Sequence, residues 1–208
     1  AMAARTYSAK VFATTVAFSS LFIAGFIGTV VSLSHFRPAN AYNDYDFICG
    51  WTYGGGYSAL SLPYRTDPDF PAYGYYTTML ASAISTWNGT ATPVDFYSTS
   101  SGAHTIGVKD MGATVAGVVA PTCYGSGGSR SSTALYLNTY YVGNNSGSVF
   151  YGTGVASHEF GHYLGLGHSW YWAIMGTNDG SFNSPRTDDV CGVNVVYPNS
   201  SYSPSCGY

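Results

Sequence analysis

His158-Glu159-Phe160-Gly161-His162-Tyr163-Leu164-Gly165-Leu166-Gly167-His168 is the stretch around which the rest of this 208-residue chain is organised. On a helix, positions four apart share a face and lie about 6 Å apart along the axis, so His158 and His162 would offer two imidazoles to one ion. Gly165 can take a positive φ at little cost, end the helix and turn the chain so that His168 arrives as a third imidazole. Glu159 follows the first ligand and lies beside the ligand face, where a carboxylate can take a proton from a water on the metal without binding the metal itself. Three neutral imidazoles leave one position of a tetrahedral zinc shell open, which separates a catalytic site from a structural one. Two histidines on a buried helix could simply pack against their neighbours. Glu159, Gly165 and His168, all in place, set that alternative aside.

Composition points the same way. Nine of the ten acidic side chains are Asp, and the one Glu in the chain is Glu159, between two histidines. Charged residues make up 8% of the chain against a typical quarter, while 20 Tyr, 26 Gly and many Ser, Thr and Asn supply polarity without charge. Hydrogen bonding, not salt bridging, is expected to keep it in solution. The formal net charge is −3, and without Arg5, Lys10 and Arg37 four basic residues would face ten acidic ones, giving −6. Nucleic acid is therefore not expected as a partner.

Residues 1–41 begin with Arg5 and Lys10, continue through an apolar stretch from Val11 to Leu33, and end at Ala39-Asn40-Ala41. This pattern predicts a signal peptide removed before Tyr42. The apolar stretch is also long enough to span a bilayer, so an uncleaved anchor is the alternative, and membrane contact is expected only in that case. Either way residues 42–208 lie outside the cytoplasm, and a secreted, extracellular monomer with one domain and one core is expected. Four cysteines, Cys49, Cys123, Cys191 and Cys206, are an even number in an exported chain, which favours two disulfides. Three pairings are open. Cys191 with Cys206 and Cys49 with Cys123 is favoured, because the first bridge would pin the short tail after the last helix.

Between these features the pattern predicts an α+β domain. A short strand is expected from Ala59 to Tyr64, a turn at Asp67-Pro68-Asp69, and a helix from Ala72 to Trp87. The helix carries Tyr76, Leu80, Ala83, Ile84 and Trp87 on one stripe, and core packing is the expected role of these side chains. Four strand-like runs follow, Val94 to Tyr97, His104 to Lys109, Val115 to Val119, and Ala134 to Tyr141. The Gly-, Asn- and Ser-rich segment from Gly143 to Gly154 is expected to be a loop, with the motif helix opening at Val155.

The run HEFGHYLGLGHS, residues 158–169, resembles the zinc-binding consensus of the metzincin clan of peptidases. His158, His162 and His168 match its ligands and Glu159 its general base. Ala173-Ile174-Met175-Gly176 resembles the clan's methionine turn, with Met175 beneath the metal and not bound to it. Within the clan the chain is most similar to the matrixins, through Ser169 after the third histidine and through Asp188-Asp189-Val190-Cys191-Gly192-Val193, which resembles their last helix. Weaker echoes lie at Ala83 to Trp87 and Thr92 to Phe96. The resemblance implies an α+β fold with a twisted mixed β-sheet, an active-site helix, a Met-turn and a C-terminal helix. It also implies one catalytic Zn2+, endopeptide-bond hydrolysis of protein or peptide substrates, and a substrate strand along Val115 to Ala120.

The chain departs from the family pattern in several places. Gly176-Thr177 replaces the Tyr-Pro usual after the matrixin methionine. The histidines of a second, structural zinc are missing, since only His104 remains outside the motif after residue 41. Calcium sites are not carried over. Tyr42 to Ile48 is too short for the family's inhibitory propeptide, and although Cys49-Gly50 resembles its zinc-blocking cysteine, the even cysteine count favours a disulfide. Two other classes stand beside the peptidase. A catalytically silent zinc module could bind extracellular protein or polysaccharide, against which the intact Glu159 argues. A membrane-tethered protein, itself compatible with proteolysis, would use residues 11–33 as an anchor.

Overall fold

Leu60–Thr66 forms β1, with Leu60 and Leu62 buried, and it stands inside a five-stranded sheet. The other strands are β2 (Val94–Ser98), β3 (His104–Lys109), β4 (Gly117–Cys123) and β5 (Arg130–Asn138), and the order across the sheet is β2-β1-β3-β5-β4. β1 runs parallel to β2 and β3, β3 runs parallel to β5, and β4 closes one edge antiparallel to β5. The helices are α1 (Tyr75–Asn88), α2 (Thr139–Val142), α3 (Val149–Leu164) and α4 (Thr187–Val196). This is the mixed α+β architecture expected from the sequence, and α1 is the helical crossover that a parallel β1–β2 pair requires. The computed structural model describes residues 60–72, 74–123, 130–143, 148–169, 172–176 and 182–197. Residues 1–41, with their expected export segment, lie outside that set, as do Cys49 and Cys206. Among the described residues no helix is long and apolar enough to cross a membrane.

The core forms where α1 and α3 pack on the sheet. Met79, Leu80, Ala83 and Trp87 of α1 are buried, as are Phe160, Tyr163 and Leu164 of α3, against Leu62, Phe96, Ile106, Leu135 and Leu137 of the strands. Tyr76 and Ile84, expected on the same stripe, are partly buried and pack on the rim of this cluster. Phe96 and Phe160 rings meet at 4.7 Å, and the Tyr163 hydroxyl donates to the Pro63 carbonyl at 2.9 Å. Among the described residues Trp87 is the largest fully buried side chain, and its indole N–H donates to the Ser157 carbonyl at 2.9 Å, one residue before His158. A buried indole needs such an acceptor, and this one ties the two helices together beside the motif.

Several boundaries differ from the sequence expectation: α1 opens at Tyr75 and not at Ala72, β1 runs past Tyr64 to Thr66, and β5 opens at Arg130, ahead of Ala134. α3 opens at Val149 and not at Val155, capped by the Ser148 hydroxyl, which accepts from the Tyr151 N–H. Gly152 and Gly154, read as loop residues, lie inside this helix because a Cβ at Gly152 would overlap the Tyr75 hydroxyl and Met79 sulfur, and one at Gly154 the Phe182 carbonyl. Close packing, not turn formation, requires these glycines. β5 ends at Asn138, whose side chain accepts from the Tyr140 N–H and starts α2, so the expected strand to Tyr141 breaks there. β4 begins two residues later than expected, at Gly117, and extends to Cys123.

Candidate functional site

α3 presents His158 and His162 one turn apart and stops at Gly165, whose φ of 94° is left-handed as expected for that glycine. Gly165 N–H donates to the His162 carbonyl and Leu166 N–H to the Gly161 carbonyl, both at 2.9 Å, and this pair of bonds closes the helix end. The chain then reverses and brings His168 back. One nitrogen from each of His158, His162 and His168 lies within 4.8 Å of the others. His158 and His162 are half-buried and His168 is exposed, so the cluster reaches the surface and is not enclosed in the core.

Two hydrogen bonds fix which nitrogens face the centre. His162 Nδ1 lies 2.8 Å from the Leu166 carbonyl and His158 Nδ1 2.7 Å from the Ile174 carbonyl. A carbonyl only accepts, so each Nδ1 carries the proton and, in the neutral ring, each Nε2 keeps its lone pair. His162 Nε2 stands 3.2 Å from His168 Nε2. Zinc–nitrogen bonds in a tetrahedral shell place neighbouring ligand nitrogens about 3.3 Å apart. The donor type, the tautomers and this spacing fit a zinc ion held by the three imidazoles, and backbone acceptors behind metal-binding histidines are the usual outer support of such a site.

Glu159 is 5% exposed and faces β4: a Cβ at Gly117 would lie 2.5, 2.6 and 2.7 Å from its Cγ, Cδ and Oε1. The carboxylate thus sits between the ligand helix and the edge strand of the sheet. Met175 is fully buried, and its sulfur occupies the space that a side chain at Gly161 would fill, between the two helical ligands. The Met175 carbonyl accepts from the Ser169 N–H at 2.7 Å, so the turn is stitched to the residue after His168.

Asp189, on α4, holds that turn from below. Its carboxylate accepts from the backbone N–H groups of Ile174 at 2.8 Å, Met175 at 3.0 Å and Arg186 at 2.7 Å. Burial is the main influence on this carboxyl and pushes its pKa up to about 6. The three backbone donors pull it down, and the neighbouring Asp188 charge raises it again. Asp188 in turn accepts from the Ser169 hydroxyl at 2.7 Å. α4 therefore braces both the Met175 turn and the segment that carries His168. Asp188 and Asp189 were legible only as part of a helix start. Their grip on Ser169 and on the Met175 turn, 14 to 19 residues earlier, has no signature in local spacing, and neither does the pairing of Gly117 with Glu159.

The sequence matches no family model and no curated protein. Among solved structures, the chain is similar to high choriolytic enzyme 1, a hatching-enzyme zinc protease from the medaka fish Oryzias latipes, at 18% identity over 77% of this chain and 100% of that one, with a TM-score of 0.47. It is also similar to a GM1-bound ECX AB5 holotoxin, at 15% identity over 65% of this chain and 79% of that one, with a TM-score of 0.46. At such scores the function rests on the site's own geometry.

The remaining sequence candidates lie away from the cluster. His104, on β3, is half-buried with its ring 6.3 Å from that of Tyr163. Cys191 is buried in α4 and disulfide-bonded, Cys123 ends β4, and the expected pairings reach outside the described residues.

Proposed function

We propose that this protein is a zinc-dependent endopeptidase of the metzincin type, matrixin-like, acting on proteins or peptides outside the cytoplasm. One observation carries the proposal: two imidazoles tautomerically fixed by the Leu166 and Ile174 carbonyls converge with a third, beside the chain's one Glu. Zinc held by His158, His162 and His168 would supply Lewis acidity and lower the pKa of water to about 7. Glu159 takes the proton of the attacking water and returns it to the leaving amine, the two duties of one general base and acid. Its burial keeps bulk solvent away from the carboxylate and holds it in one orientation. β4, an antiparallel sheet edge, offers unpaired backbone groups to an extended peptide, which would add as a further strand. Met175 and the Asp189 clamp keep the ligands in place beneath. The signal peptide, the two disulfides and a monomeric state belong to the same proposal.

Replacement of Glu159 by Gln separates binding from chemistry. One zinc per chain should be retained, while hydrolysis of casein or gelatin should fall at least about a hundredfold, as loss of a general base does. Undiminished turnover in Glu159→Gln would overturn the assignment.

A further inference from the structure

Asn138, where β5 meets α2, is fully buried and has every side-chain hydrogen-bonding position filled. Its Oδ1 accepts from Met111 N at 2.9 Å and Tyr140 N at 3.1 Å, and its Nδ2 donates to the Gly112 carbonyl at 2.8 Å and the Val115 carbonyl at 2.5 Å. Its own backbone N–H donates to the Ala116 carbonyl at 2.9 Å. A carboxamide offers two donors and two acceptor lone pairs on the side chain, so this is its full capacity. Capping α2 uses only the Tyr140 bond. The others all fall on residues 111–116, the segment that delivers the chain into β4.

The next residue is Gly117, against which the Glu159 side chain rests. There is no room for a methyl group there, because a Cβ would come within 2.7 Å of three Glu159 atoms. The contacts therefore run without a gap from Asn138 to Val115 and Ala116, then to Gly117, then to Glu159. We infer that Asn138 is a positioning residue. By fixing the entry to β4 it sets where the Glu159 carboxylate stands, and with it the alignment of a peptide on the β4 edge. The consequence for catalysis rests on Glu159 serving as the base; the positional claim does not.

Because Glu159 is the one Glu in the chain, carboxyl-13C glutamate labelling gives a single reporter of its environment. In the zinc-loaded protein, Asn138→Ala should move that resonance and speed amide exchange across residues 111–120 at least tenfold, with zinc stoichiometry kept at one. kcat for peptide hydrolysis should fall roughly ten- to hundredfold, the scale of a misplaced reacting group. Asn138→Asp keeps both accepted bonds and loses both donated ones, and it should show the same signature if the alanine variant fails to fold. Asn88→Ala is the control: Asn88 bonds the Phe96 backbone N–H and carbonyl at 2.8 and 2.9 Å, at the opposite edge of the sheet, and its loss should leave the Glu159 resonance unmoved. An unchanged resonance in the folded Asn138 variants, or an equal change in Asn88→Ala, overturns the inference. A wild-type protein that hydrolyses no peptide would instead overturn the proposed function, while the resonance and exchange would still decide the role of Asn138.

Discussion

Asp189 is a carboxyl group placed where charge is costly, and its effect on stability has a definite sign. Its folded pKa, about 6, lies above the ordinary 3.8, so the folded chain holds the proton more tightly than the unfolded one. Its contribution is therefore fully present below about pH 4, is lost as pH rises through the window to about 6, and is flat above it, a change of up to about 3 kcal/mol. Asp189→Asn removes this titration and leaves one acceptor oxygen for three N–H groups, at a cost of about 1–3 kcal/mol near neutrality. Urea unfolding of both proteins at pH 4.5, 5.5 and 7 should show the stability difference, wild type minus Asp189→Asn, falling as pH rises. Parallel slopes would contradict this. Gly161→Ala should weaken zinc binding at least about tenfold by competition titration, because the new methyl group displaces Met175 from beneath the ligands. At this scale the histidines, Glu159 and the turn at Gly165 were legible because their spacing is itself the geometry of one helix and its end. Asp189, Gly117 and Gly161 were not, since each acts through a contact between segments distant in sequence or through space denied to a side chain.

Among the elements, α3 shows where local rules mislead. Gly152 and Gly154 count against a helix by propensity, yet they sit in its first turns because α1 and the Phe182 backbone approach too closely for a methyl group. By propensity alone Gly154→Ala would stabilise by up to about 1 kcal/mol. The overlap with the Phe182 carbonyl predicts instead a loss of about 1–3 kcal/mol, readable as a lower urea midpoint at unchanged m-value. A rise in the midpoint would contradict the packing described. The span of β3 was legible as a strand-like run set off by Gly and Ser clusters. The entry to β4 and the end of β5 were not, because one buried side chain, Asn138, overrides the strand pattern on both sides of itself.

At the scale of the molecule, the scarcity of charge has a measurable consequence. Arg65 and Asp67, 3.9 Å apart, form an ion pair, and both are partly exposed. Salt between 0.05 and 0.5 M should therefore change unfolding free energy by less than about 1 kcal/mol at constant zinc. A larger loss would point to charge networks that the composition does not suggest. The α+β class and helix α1 were foreshadowed by the patterns between residues 59 and 141, and the mixed sheet and three-imidazole centre by the resemblance that residues 158–176 carry, whereas pairing order within the sheet depends on contacts that no local pattern encodes. The central claim is that one metal at His158, His162 and His168 works with Glu159 to cut peptide bonds, and the most direct measurement is reconstitution. Protein stripped by a chelator should hydrolyse a quenched peptide library at background rate, and activity should rise linearly with added zinc to a break at one equivalent. Hydrolysis that survives complete removal of the metal, or a fully reloaded wild-type protein that remains inert towards every peptide, would contradict it.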